Sequence, residues 1–177
     1  MIALSKRIAR AFRREDGTAT IEFVMAVPVL LTVFMASFES GLLMVRSIML
    51  DQATDMTMRE LRLGHIPLPT SAILKKEICK RTTIIRDCEA NIMIELNRIS
   101  KTSWAFPSNN VACIDRDEEI LPVVNYIVPT QNDLMLVRVC VVQDALFPTT
   151  GVGLALPKDG KDGYAVVATS AFSAEPE

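Results

Sequence analysis

Ile21-Glu22-Phe23-Val24-Met25-Ala26-Val27-Pro28-Val29-Leu30-Leu31-Thr32-Val33-Phe34-Met35-Ala36-Ser37-Phe38-Glu39-Ser40-Gly41-Leu42-Leu43-Met44-Val45 is the stretch on which the fold turns. The 16 residues from Phe23 to Phe38 carry no charge, and at 1.5 Å per residue they make about 24 Å of helix. With Glu22 and Glu39 accepted as flanks, residues 21–45 make about 37 Å, enough to cross a hydrocarbon core of about 30 Å. The run predicts a membrane-spanning helix. Glu39 follows Glu22 by 17 residues, roughly 26 Å, which predicts a solvated carboxylate at the opposite interface. Pro28 removes a backbone donor and predicts a local kink.

Upstream, Lys6, Arg7, Arg10, Arg13 and Arg14 precede Glu15 and Asp16, whereas only Arg46 closely follows the span. By the positive-inside rule the N-terminus stays cytoplasmic and the rest is exported. A cleaved secretory signal is the competing reading of a basic segment before an apolar run. No small-x-small cleavage pair follows that run, where the chain reads Ala36-Ser37-Phe38-Glu39-Ser40-Gly41.

At the junction, Gly17-Thr18-Ala19-Thr20-Ile21-Glu22-Phe23 sets a glycine at the end of the basic leader and a glutamate five residues later. This resembles the processing site of type IV prepilins and pseudopilins. The Glu22-Phe23 pair, the apolar residues 24–31, Glu39-Ser40-Gly41 and the terminal Ala174-Glu175-Pro176 resemble the TadE-like branch, associated with tight-adherence (Flp) pili. The resemblance implies that a membrane-embedded prepilin peptidase cuts after Gly17, that Thr18 becomes the first residue, and that Glu22 pairs with an N-terminal amine to set register during assembly, beside Phe23. It also implies other pseudopilins and pilus assembly proteins as partners in a bacterial inner membrane. The physics agrees: a carboxylate forced to the bilayer centre costs about 2.5–3.5 kcal/mol, and an amine about a turn away or the helix N-terminus offsets that. An interfacial carboxylate that caps the helix is the plainer alternative. Ala36-x3-Ser40 and Ser37-x3-Gly41 repeat the small-residue spacing that lets helices approach closely in lipid.

Beyond the span, Leu42, Val45, Met49, Met56 and Leu63 recur on one helical face, with Arg46, Asp51, Asp55 and Glu60 largely elsewhere. One amphipathic helix then runs from about residue 19 to 63, with Gly64 as its C-cap and Pro67 and Pro69 preventing continuation. Ser71–Arg81 predicts a short helix. Asn91–Ile99, with Ile92, Ile94 and Leu96 alternating against Met93, Glu95 and Asn97, predicts a strand. So do Leu134–Val142 and Tyr164–Phe172, the last after the turn-like Asp159-Gly160-Lys161-Asp162-Gly163. The fold class is α+β: a long N-terminal transmembrane and amphipathic helix, then a small domain with a short helix and an antiparallel sheet of about three strands. Along the chain this gives a leader (1–17), a transmembrane helix (18–45), its amphipathic extension (46–64), a linker (65–69) and a periplasmic domain (70–177).

Cys79, Cys88, Cys113 and Cys140 all fall in the exported part, where an oxidising compartment favours disulfides. Of three pairings, Cys79 with Cys88 and Cys113 with Cys140 closes the shorter loops. Zinc is the alternative, but no Cys-x2-4-Cys spacing occurs. Catalytic chemistry is not legible. His65, the sole histidine, sits in the linker. The acidic Asp115, Asp117, Glu118 and Glu119 and the 159–163 turn read as solvated loops, and Trp104 and Phe106 read as core or loop anchors. No catalytic residue, metal ligand or cofactor is expected. With 19 basic against 21 acidic residues among 177, a net charge of −2 argues against a nucleic-acid partner. Loss of five basic and two acidic side chains with the leader would take it to −5. The rival from another class is an uncleaved, membrane-anchored periplasmic enzyme or ligand-binding module.

Overall fold

The computed structural model describes residues 18–66, 69–108, 110–118, 122–156, 158–159 and 163–174. The basic leader, Gly17, Glu119, the turn residues 160–162 and the terminal Glu-Pro lie outside them. Helix α1, Thr18–Arg62, is 45 residues long and continuous through Pro28, about 67 Å at helical rise. It stops where expected. Gly64 sits at φ +71°, its N–H reaches Leu61 O at 3.2 Å, and the N–H of His65 reaches Glu60 O at 3.0 Å. That pair of bonds forms a Schellman cap, and glycine is the residue that takes this left-handed position without strain. Helix α2 spans Ser71–Arg81; the Thr70 hydroxyl accepts the N–H of Ile73, and Leu74 and Ile78 are buried. A single turn, α3, Cys88–Asn91, leads into β1, Ile92–Ile99. Then come β2, Leu134–Asp144, a short turn of helix α4, Gly151–Ala155, the two-residue β3, Lys158–Asp159, and β4, Gly163–Ser173.

The expected three antiparallel strands are present, joined by the minimal β3, in the order β1-β2-β4-β3. Register puts Ile92, Val141 and Val166 in one row and Ile94, Val139 and Ala168 in the next, all facing α1 and α2. From α1 they receive Leu50, Ala53, Met58 and Leu61. Truncating a fully buried residue such as Leu50 (0% exposed) to alanine costs about 2–5 kcal/mol.

The opposite face of the sheet differs between strands. On β4, buried and exposed residues alternate. On β1 they do not, because Met93, Glu95 and Asn97 are buried too. The segment after β1 leaves the sheet at Ser100 and descends across this outer face, where Glu95 pairs with Arg138, Arg138 also donates to Ser108 O, and Glu95 accepts the N–H of Ala112 at 3.2 Å. The chain then returns along the free edge of β1, where Leu96 exchanges backbone bonds with Asn125 and Ile127 at 2.9 Å. The connection from 101 to 133 is therefore a covering layer. At Leu96 it satisfies the edge donor and acceptor that an open strand would offer to another chain. Tyr126, on this return strand, donates to Pro69 O at 2.6 Å, and burial pushes its phenol up to about 12.

Both expected disulfides form. Cys79 and Cys88 lie 5.6 Å apart at Cα and tie α2 to α3; Cys113 and Cys140 lie 5.3 Å apart and pin the descending segment to β2.

Candidate functional site

Residues 21–38 of α1 are almost wholly bare. Ile21, Phe23, Val24, Met25, Val29, Leu30, Val33 and Phe34 are each about two-thirds exposed, and α1 is the one helix among the described residues long and apolar enough to cross a membrane. Its polar side chains are satisfied within the helix: Thr32 donates to Val29 O and Ser37 to Val33 O, both at 2.8 Å. Hydroxyls closed in this way are tolerated in lipid. Among the described residues the helix runs from Thr18, with exposed Glu22 one turn further on and Phe23 beside it.

The globular head takes hold of the helix at Glu39. That carboxylate is 0% exposed; its Oε2 accepts the N–H groups of Leu146 and Phe147, each at 2.9 Å, from the loop after β2. Immediately below, the Phe38 ring meets Phe147 edge-on, with centroids 6.2 Å apart. Two turns above, Arg46, 6% exposed, donates to Asp144 O at 2.9 Å and to the Tyr164 hydroxyl, with its guanidinium 5.7 Å from that ring's centroid. The solvated interfacial Glu39 of the sequence reading is thus overturned: backbone amides replace the water it was expected to face.

The buried stripe of α1 is also not the one expected. It runs Glu39, Leu43, Arg46, Leu50, Ala53, Thr57, Leu61, at steps of three and four. Val45, Met56 and Leu63 are about half exposed instead, and Met44 and Ile48 more so. Polar residues at core positions hid the true stripe. The signal that could have found it was Glu39 and Arg46 at i and i+7, in phase with Leu43 and Leu50. The small residues separate accordingly. Ala36 and Ser40 are half-buried on the head's side, with the Ser40 hydroxyl bonded to Ala36 O at 2.9 Å. Ser37 and Gly41 are exposed, and a Cβ built on Gly41 would meet nothing within 4 Å.

Elsewhere among the described residues the structure brings no reactive constellation together. Nδ1 of His65 lies 2.8 Å from Glu60 at the helix end, exposed. Asp115 accepts the N–H of Asp117 in a local turn, and no cluster of three or more metal-ligating side chains occurs among the described residues. Trp104 and Phe106 are not anchors. They are 58% and 65% exposed, on a loop held at the far end of the head from the bare helix by the bond from Trp104 N to Ser100 O. Trp104 takes φ +50°, uncommon for a bulky residue.

The described residues thus form a single bare apolar helix, long enough to cross a membrane, gripped at its midpoint by a disulfide-bonded α+β head. Residues 17–59 match the family model described as TadE-like protein, the family that Gly17, Glu22 and the apolar run resemble. The match covers 43 of the 177 residues, and over that stretch the chain is similar to that family. It takes in the helix as far as the part gripped by the head and leaves the sheet domain beyond it. No curated protein and no solved structure matches the chain.

Proposed function

We propose that this protein is a TadE-like pseudopilin, a minor pilin-like subunit that takes part in assembling or priming a tight-adherence pilus. In this reading prepilin peptidase removes the leader after Gly17 on the cytoplasmic face of the bacterial inner membrane. Residues 21–38 then lie in lipid, with the head in the periplasm. The observation that carries the reading is Glu22, exposed on a bare apolar helical segment one turn after Thr18. A carboxylate there is tolerated when a cation answers it, and a new amine at Thr18 is one turn away. The lipid segment is shorter than the sequence alone suggests: the head grips at Glu39, which leaves 18 residues, about 27 Å, against a hydrocarbon core of about 30 Å. The remaining contacts would be with other pseudopilins and assembly proteins through helix association, where the open Ser37-Gly41 pair allows close approach.

Mass spectrometry of the membrane-extracted protein tests this, with Thr18 expected as the first residue. Replacing Gly17 by a bulky residue should block processing and piliation together. Glu22→Ala should be cut normally yet assemble poorly. An intact Met1 in cells that hold the peptidase would point to a permanently anchored module instead, and full piliation by an uncut Gly17 variant would refute the mechanism.

A further inference from the structure

At the membrane side of the head, a cleft of about 470 Å³ opens between α1, the segment 84–91 and the end of β2. Its wall changes character with height. Phe38 and Leu42 line it nearest the bare helix, and Arg46 lies about 12 Å beyond Phe38 along α1. Arg86 and Arg116 face it from the head, with Asp87 and Asp144. The lining thus sets three arginines against two aspartates, and Asp144 is held by Arg116 at 2.5 Å. Arg46 is more than nine-tenths buried, yet its Nε has no hydrogen-bond partner among the described residues. Arg86 is exposed, and among the described residues no carboxylate forms an ion pair with it.

We propose that this cleft takes the phosphodiester of an anionic phospholipid from the leaflet beneath the head. The inference rests on residues 21–38 lying in the bilayer. If Phe38 marks the edge of the hydrocarbon, the headgroup layer extends roughly 5–7 Å past it, to the level of Leu42. The arginine side chains would reach down to it across the remaining distance of about 5–7 Å below the Arg46 backbone. A guanidinium presents a planar fork of donors that matches phosphate oxygens and is weakly hydrated, so it suits a half-buried anion better than an ammonium does. Phe38 and Leu42 supply apolar surface for the glycerol and upper acyl chain. An acidic peptide would satisfy the same arginines but would not use that apolar lip at bilayer height.

The test uses the full chain in nanodiscs of equal phosphatidylglycerol and phosphatidylcholine, with native mass spectrometry counting the lipids retained on release. The wild type should keep the anionic lipid preferentially. Arg86→Gln should lower that preference about fivefold, the factor equivalent to about 1 kcal/mol for one arginine at a membrane surface. Arg59→Gln, an exposed change on α1 outside the cleft, should leave it unchanged. An equal preference in wild type and Arg86→Gln overturns the proposal, as does an equal drop in Arg59→Gln, which would mean bulk charge alone. Displacement of the lipid by millimolar inorganic phosphate would identify a soluble phosphate as the ligand and also overturn it. Failure of the chain to enter nanodiscs is a separate outcome and strikes the membrane reading itself.

Discussion

The Glu39 carboxylate on the long helix accepts the backbone N–H of Phe147 at 2.9 Å, across 108 positions of sequence. The same oxygen takes the N–H of Leu146, so one side chain closes the loop after β2 onto the helix where the bare apolar segment ends. Its other oxygen is buried without a partner among the described residues. The helix and the loop depend on each other at that point.

Glu39→Ala should therefore cost more than the loss of two average bonds. Two partly buried N–H groups would lose their acceptor, at about 1 kcal/mol or more each. Thermal unfolding in detergent should fall accordingly, and amide exchange at 146–147 should accelerate before the rest of the sheet. Unchanged exchange there would remove Glu39 from the grip.

Breaking the two disulfides should cost different amounts. The loops they close span 9 and 27 positions, which in the chain-entropy picture gives about 2.7 and about 3.6 kcal/mol. Denaturant unfolding of Cys79→Ser/Cys88→Ser against Cys113→Ser/Cys140→Ser measures both. The second variant should also free the segment that covers β1, seen as proteolysis between 101 and 116. Resistance of that segment in the variant would assign its hold to the Glu95–Arg138 pair instead.

Acid should loosen the far end of the head first. The Thr130 hydroxyl and backbone N–H, then Arg98 and Lys101, hold the Asp133 carboxyl below its ordinary value; Thr130 N lies 2.8 Å and Arg98 Nε 2.9 Å from it. A carboxylate depressed in the folded state contributes stability above its unfolded pKa, near 4, and loses it as the pH falls through the lower folded value. Wild type should melt above Asp133→Asn at neutral pH, and the two curves should converge below about pH 4. A gap that persists unchanged into strong acid would exclude ionisation as its cause.

Trp104→Ala should change stability by no more than about 0.5 kcal/mol, because the ring is mostly in water and its backbone already sits at a positive φ. Trp104 is the only tryptophan, so tryptophan emission, excited selectively over that of the two tyrosines, reads this loop alone. The folded protein should emit as a hydrated indole, and a blue emission would place the ring in a contact the monomer lacks.

The local signals were the legible ones. The cap at Gly64 and the breaks beyond it fixed the end of α1 almost to the residue, since it is decided by a few neighbouring backbone groups, and Ser71–Arg81 was legible as a helix whose Thr70 cap the structure adds. The strands were legible from β-branched runs, and the cysteine pairing from loop length. What escaped was decided by distant parts of the chain. Glu39 and Arg46 are buried because amides at 146–147 and the Asp144 carbonyl and Tyr164 hydroxyl wait for them, and no local pattern announces such partners. A polar residue in a core stripe reads as solvent, so the apolar stripe beside it was chosen. The covering layer over β1 escaped for the same reason, its cohesion coming from Glu95, Arg138 and a disulfide rather than from apolar periodicity.

The grip at the middle of α1 has a mechanical outcome. Since Phe38, Glu39 and Arg46 all engage the head within about two turns, the rod cannot spin inside its collar. Any neighbour that fixes the compass bearing of the greasy half thereby dictates which way the sheet, the covering layer and the tryptophan tip point, and copies packed side by side would present those surfaces in a repeating order.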